Sequence, residues 1–150
     1  MFVDEYQELH DLIVCGDYSR ALALINELDA MSRRDYVLKI RSYMRVLLVH
    51  LIKHHAEGRW TMSWRRSVAH AIDQIHLLNA RHKAGGTFLD PAELRETLED
   101  AWRSAIELAA IEVKRGAYTT RELEQRVDRD AILAEALARI ADAGTQEGRK

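Results

Sequence analysis

The sequence predicts an all-α protein, a compact helical bundle of about six to seven helices with a long central helix. Three observations predict it. Helix start and stop signals recur along the chain, no run of β-branched residues alternates with polar ones as a strand would, and 150 residues contain a single proline. Hydrophobic residues make up 47% and charged residues 31%, the balance of a folded chain and not of a disordered one. A chain of this length can bury roughly two thirds of its unfolded surface, so one core suffices. A single helical domain over residues 1–150 is expected, ordered from about 5 to 143, with a frayed tail over 144–150.

The elements follow from local chemistry. A first short helix covers about Glu5 to Cys15 and stops at Gly16-Asp17. Ser19 then caps a second helix through Met31, with Leu22, Ile25 and Leu28 on one face. Ser32 offers the next N-cap, with Asp35 three residues later near the positive end of the helix dipole. The third and longest helix runs from Arg33 to about Glu57, and from Tyr43 to Ile52 its apolar residues occupy nearly every side. It is therefore expected to be central. Gly58 ends it.

A fourth helix is expected from Ser63 to Lys83, with Trp64, Val68, Ala71, Ile75 and Leu78 facing inward, before Gly85-Gly86 breaks the chain. Asp90, Pro91 and Glu93 combine a cap, a proline at the first helical position and a capping box, opening a fifth helix to Arg115 with Gly116 as its stop. Thr119 with Glu122 opens a short helix to about Val127. Asp128 or Asp130 caps the last one, to about Ala143.

Composition narrows the function classes. A net charge of −2 supplies no global field for nucleic acid or an anionic membrane. The first residues, Met1 to Tyr6, lack the order of a secretory leader, and the most apolar run, Val46 to Ile52, is far short of the ~20 residues that span a bilayer. A cytoplasmic protein without a membrane segment is expected. Cys15 stands alone, which leaves no intramolecular disulfide and no cysteine-rich zinc site, and it reads as a half-buried helix residue.

Four stretches, Leu24-Ile25-Asn26-Glu27-Leu28, Arg45 through His50 to Lys53, Ser63-Trp64-Arg65-Arg66 and Glu107-Leu108-Ala109-Ala110, carry a family likeness in their order and spacing. A fifth runs from Tyr118-Thr119 to Asp128-Arg129-Asp130. The chain resembles a bacterial family known as domain of unknown function number 29, over about Tyr6 to Leu133. It departs from the family at Asn26-Glu27, where two adjacent acids are usual, at His54, often a tryptophan, and in its alanine- and leucine-rich last helix. The resemblance implies a helical fold and a bacterial origin, and no activity.

Several constellations offer chemistry. His50 and His54, four apart on one helical face, have the spacing at which two imidazoles reach one metal ion, but two ligands do not make a site. No metal or cofactor is expected. Glu27 could complete such a site only if the second and third helices were arranged other than as a simple hairpin about Met31-Ser32, or if a second subunit supplied it. It is more economically read as solvated or paired to Arg33, Arg34 or Lys39. Arg45 and His50, separated by four residues, resemble the short motif of helical ribonuclease domains in the HEPN superfamily, which would make them phosphate-stabilising and proton-moving groups.

Between Lys53 and Arg66, four basic residues face one acid, with Trp60 and Trp64 among them, so Trp64, Arg65 and Arg66 are candidate binding residues, together with Glu27. From Asp90 to Glu112 seven acids face two arginines. Opposite-signed surfaces on one small domain favour a protein partner or a homo-oligomer over nucleic acid. The reading is a non-catalytic protein-interaction or regulatory domain. The alternatives are a ribonuclease-like domain using Arg45 and His50, and a metal-binding bundle using His50 and His54. His50 and Trp64 are expected to meet in the interior across the turn at Gly58.

Overall fold

The structure, a computed structural model, describes residues 4–81 and 85–147. Six α-helices follow one another: α1 (Glu5–Val14), α2 (Tyr18–Glu57), α3 (Met62–Asn79), α4 (Pro91–Glu112), α5 (Thr120–Arg126) and α6 (Arg129–Glu147). The expected helical fold with a long helix is found. Among the described residues the only extended pairing is one bridge, Ala80 to Thr87, and no helix is long and apolar enough to cross a membrane.

The expected second and third helices are one. Ser32 does not open a new helix: residues 18–57 form a single α2, so the expected hairpin at Met31-Ser32 does not exist. The physical reason lies in what is missing from the sequence. A cap residue favours a helix start, but Ser and Asp tolerate helix interiors, and neither glycine nor proline falls between Tyr18 and Glu57 to interrupt the ladder. At the N-terminus of α2 the capping oxygen comes from Asp17, which accepts from the Arg20 amide at 3.3 Å, and not from Ser19. Cys15, expected half-buried, is exposed beyond the end of α1.

Contacts group the chain into two units, residues 1–36 and 37–150, with the division inside α2. In the second unit a core of aliphatic side chains gathers from five helices. Met44, Leu47, Leu48, Leu51 and Ile52 come from α2, Ile75 from α3, Leu98 and Ile106 from α4, Leu123 from α5, and Ile132 and Leu133 from α6. Each such side chain contributes about 1.5–3 kcal/mol on burial. This unit is a compact helical bundle, in which α6 packs on both α3 and α4 while α5 packs on α4. The first unit differs. None of the residues of α1 is buried, and Ala21 is the one buried residue among those described up to position 36.

Three ends depart from expectation. α3 stops at Asn79, where the helix was expected to reach Lys83, a residue outside those described. Asn79 is buried and its amide grips the approaching loop: it donates to the Leu89 carbonyl at 3.2 Å and accepts from the Leu89 amide at 2.8 Å. Spending the side chain on a segment ten residues away fixes the chain reversal there. α4 stops at Glu112, three residues before the expected end, because Lys114 (φ 47°) and Arg115 (φ 58°) turn left-handed ahead of Gly116. The capping boxes opened by Asp90 and Thr119 form as expected at their first bond, with amide donors Glu93 and Glu122 at 2.8 and 3.1 Å. Asp128 caps α6 through the Ala131 amide at 3.2 Å. α6 continues to Glu147, past the expected end at Ala143, and residues 148–150 of the expected tail lie outside those described.

Candidate functional site

The polar residues of the second unit converge where α2 ends and α3 begins. Gly58, at φ +66°, reverses the chain, and Thr61 caps α3 by accepting from the Trp64 amide at 3.0 Å. The reversal brings His50 and Trp64 together, with ring centroids 6.4 Å apart. Trp64 is only 8% exposed. Two cations approach its ring, the Lys53 ammonium at 4.6 Å and the Arg59 guanidinium at 4.8 Å from the centroid. Attraction between a cation and the ring quadrupole strengthens as water is excluded.

Lys53 is itself buried and donates to Glu112 of α4 at 2.7 Å, so one ammonium links α2, α3 and α4. Among the described residues Lys53 is the one buried charged side chain, and removing Glu112 would leave that charge stranded, whereas Glu112 itself is half-exposed. The Nδ1 atom of His50 is buried with no hydrogen-bond partner among the described residues. Burial holds the His50 imidazole below its ordinary 6.5. The Lys53 ammonium acts in the same direction, and the Glu112 carboxylate opposes. Neutral His50 beside a buried cation is the consistent charge state.

A second layer lies beside the first. The His54 ring stacks on Trp60 with centroids 4.3 Å apart, and its Nδ1 meets the Arg59 carbonyl at 3.0 Å. His55 Nε2 reaches Glu135 of α6 at 2.8 Å, and Glu135 also accepts from Arg139 at 3.1 Å. Burial pushes the Glu135 carboxyl upward, but hydrogen bonds and charge from His55 and Arg139 outweigh it and hold the group below its ordinary 4.5. Arg139 completes the layer by lying 5.3 Å from the Trp60 centroid.

The other sequence candidates fall elsewhere. Arg45 is exposed and lines a polar cleft of about 330 Å³ between α2 and α4, with Arg41, Ser42, Asp100, Arg103 and Glu107. His50 faces Trp64 instead, so the two members of the ribonuclease-like pair have different neighbours. His54 turns to Trp60 while His50 turns to Trp64, and no group of three or more His, Cys, Asp or Glu side chains able to hold a metal occurs among the described residues. Arg65 lines a different cleft, against α6, and Arg66 is exposed. Glu27 is exposed on the first part of α2.

Reasoning from the sequence missed Lys53, Glu112, Glu135 and Arg139. Lys53 did carry a signal, a lysine directly after the apolar run that ends at Ile52. Its partner Glu112 lies 59 residues away and carried none.

The family described as "Domain of unknown function DUF29" matches residues 21–136, which takes in nearly all of α2, the whole of α3, α4 and α5, the first part of α6, and every residue of the cluster except Arg139. Comparison with curated proteins and with solved structures finds no match.

Proposed function

The chain belongs to the DUF29 family, and we propose that it is a non-catalytic protein-interaction domain of the bacterial cytoplasm that docks a partner on α1 and the first turns of α2. One observation carries the reading. Tyr18, Leu22 and Ile25, spaced i, i+4 and i+7 and so on one face of α2, are 63%, 61% and 43% exposed. Tyr6, Ile13 and Val14 on α1 are exposed as well. Isolated exposed apolar residues are ordinary, whereas several on one short helical segment mark an association surface.

Charge supports the choice of partner. Residues 1–36 hold eight acidic against three basic side chains, while 37–150 hold sixteen against nineteen. Two copies pairing these acidic segments face to face would repel, so the partner fitted to this surface is an amphipathic helix with a basic border. The aromatic residues of the basic stretch do not favour nucleic acid: Trp64 is packed inside and Trp60 is covered on one side by His54. Bases need an open ring face.

The test is a calorimetric titration of the full chain with a synthetic amphipathic peptide of leucine and lysine. Saturable binding that weakens with salt is expected, with loss in Leu22→Asp and Ile25→Asp and no change in Leu77→Asp, an exposed residue of α3. Binding insensitive to Leu22→Asp would overturn the assignment of the face. Concentration-dependent self-association abolished by the same substitution would make a second copy the occupant and overturn the basic-partner reading.

A further inference from the structure

A second surface, independent of the docking face, has the form of a small-molecule site. Between α3 and α6 lies a cleft of about 440 Å³, lined by Trp60, Arg65, Val68, Ala69, Ile72, Asp73, His76 and Arg139. That volume lies within the range of ligand pockets. The α3 residues at 65, 68, 69, 72, 73 and 76 follow the helical repeat, so the cleft runs along one face of α3. From Arg65 to His76 it spans roughly 16 Å at 1.5 Å per residue.

The lining is ordered by chemistry along that axis. Trp60, Arg65 and Arg139 stand at the end where α3 begins, Val68, Ala69 and Ile72 form an apolar middle, and Asp73 and His76 stand at the far end. Arg139 shares its charge with Glu135, but Arg65 has no ion pair among the described residues. At the opposite end the Nε2 atom of His76 is shut off from solvent without a hydrogen-bond partner among the described residues. Asp73 likewise has no compensating cation there. An uncompensated cation and an uncompensated anion thus face one apolar trough from its two ends, about 12 Å apart along α3 from position 65 to position 73.

We propose that this cleft binds a linear carboxylate with an apolar chain and a hydrogen-bonding or cationic group at its far end. The carboxylate meets Arg65, with Arg139 behind it. The chain lies over Val68 and Ile72, and the far group donates to Asp73, beside His76. An ordinary fatty acid satisfies only one end and leaves Asp73 facing a methyl terminus. A neutral alcohol satisfies neither charge.

The probes are 8-aminooctanoate, octanoate and octan-1-ol, titrated into the full chain by calorimetry, with amide shifts along α3 and α6 followed by nuclear magnetic resonance. 8-Aminooctanoate is expected to bind saturably and more tightly than octanoate, with octan-1-ol weakest. Arg65→Gln should weaken both carboxylates about ten-fold, the loss of one charge-assisted contact. Asp73→Asn should weaken 8-aminooctanoate and strengthen octanoate, a reversal that a merely structural role for Asp73 would not produce. Arg41→Gln, on the polar cleft between α2 and α4, should change nothing. Both Arg65 and Asp73 are exposed, so these variants keep the fold, which circular dichroism checks. Equal binding of all three probes, or binding indifferent to Arg65→Gln, would reduce the cleft to a greasy surface and overturn the proposal. Octanoate binding as tightly as 8-aminooctanoate in the unaltered chain would overturn the assignment of the far end. None of these outcomes depends on Leu22 or Ile25, so the docking reading stands or falls separately.

Discussion

The two halves of α2 make opposite use of the same helix. From Ile40 to Ile52 six of its side chains are fully buried, in a core shared with α3, α4, α5 and α6. From Tyr18 to Tyr36 Ala21 is its one buried residue, and the apolar stripe of Tyr18, Leu22 and Ile25 meets solvent. Helix propensity is similar in both halves, so the difference is not one of secondary structure. It teaches that an amphipathic pattern specifies a face, while only a second element specifies what covers it.

The comparison is most sharply tested in the well-covered half. Trp64→Ala should cost about 3–5 kcal/mol, because it leaves a cavity and strips two cations of their ring. Equilibrium unfolding in urea measures it, and a loss below that of a surface substitution would show that the α2–α3 contact does not hold the bundle together. Asn79→Ala should cost about 2–3 kcal/mol by the same measurement, since it strands the buried Leu89 amide.

Smaller effects follow at the strained and titrating positions. Arg115→Gly should stabilise the protein by about 1 kcal/mol, because Arg115 sits at φ 58°, where a side chain clashes and glycine does not. A lower unfolding midpoint in that variant would show that the arginine side chain matters more than the backbone. For His50 the folded state holds the imidazole below 6.5, so its neutral form is favoured. Its contribution is full above 6.5 and declines as pH falls below that value, since the unfolded chain then binds the proton more readily. His50→Leu should therefore flatten the stability profile on the acid side of 6.5 and leave the alkaline side unchanged in slope.

What was legible in the sequence was what is local. The caps at Asp90 and Thr119, the stop at Gly58 and the meeting of His50 with Trp64 each need only a few residues or one short hairpin. Ser32 misled because a cap signature was read as a boundary although no breaker accompanied it. The left-handed turn at Lys114-Arg115 went unseen, since neither residue type announces positive φ. The Lys53–Glu112 and His55–Glu135 contacts join residues 59 and 80 apart, and their pairing depends on how helices pack, which periodicity does not encode. The cleft along α3 was half visible: Arg65 was singled out, but Arg139 on α6 supplies the opposite wall.

The central claim, that α2 is anchored by its own core over one half and, as proposed above, takes a partner over the other, is tested most directly by native-state hydrogen exchange on the full chain. Amides from Met44 to Ile52 should exchange only through global unfolding, and those from Leu22 to Ala30 through local opening at a far lower free energy. Adding the leucine–lysine peptide should raise protection in the second set alone. Equal protection along the whole of α2 in the free chain would contradict the account.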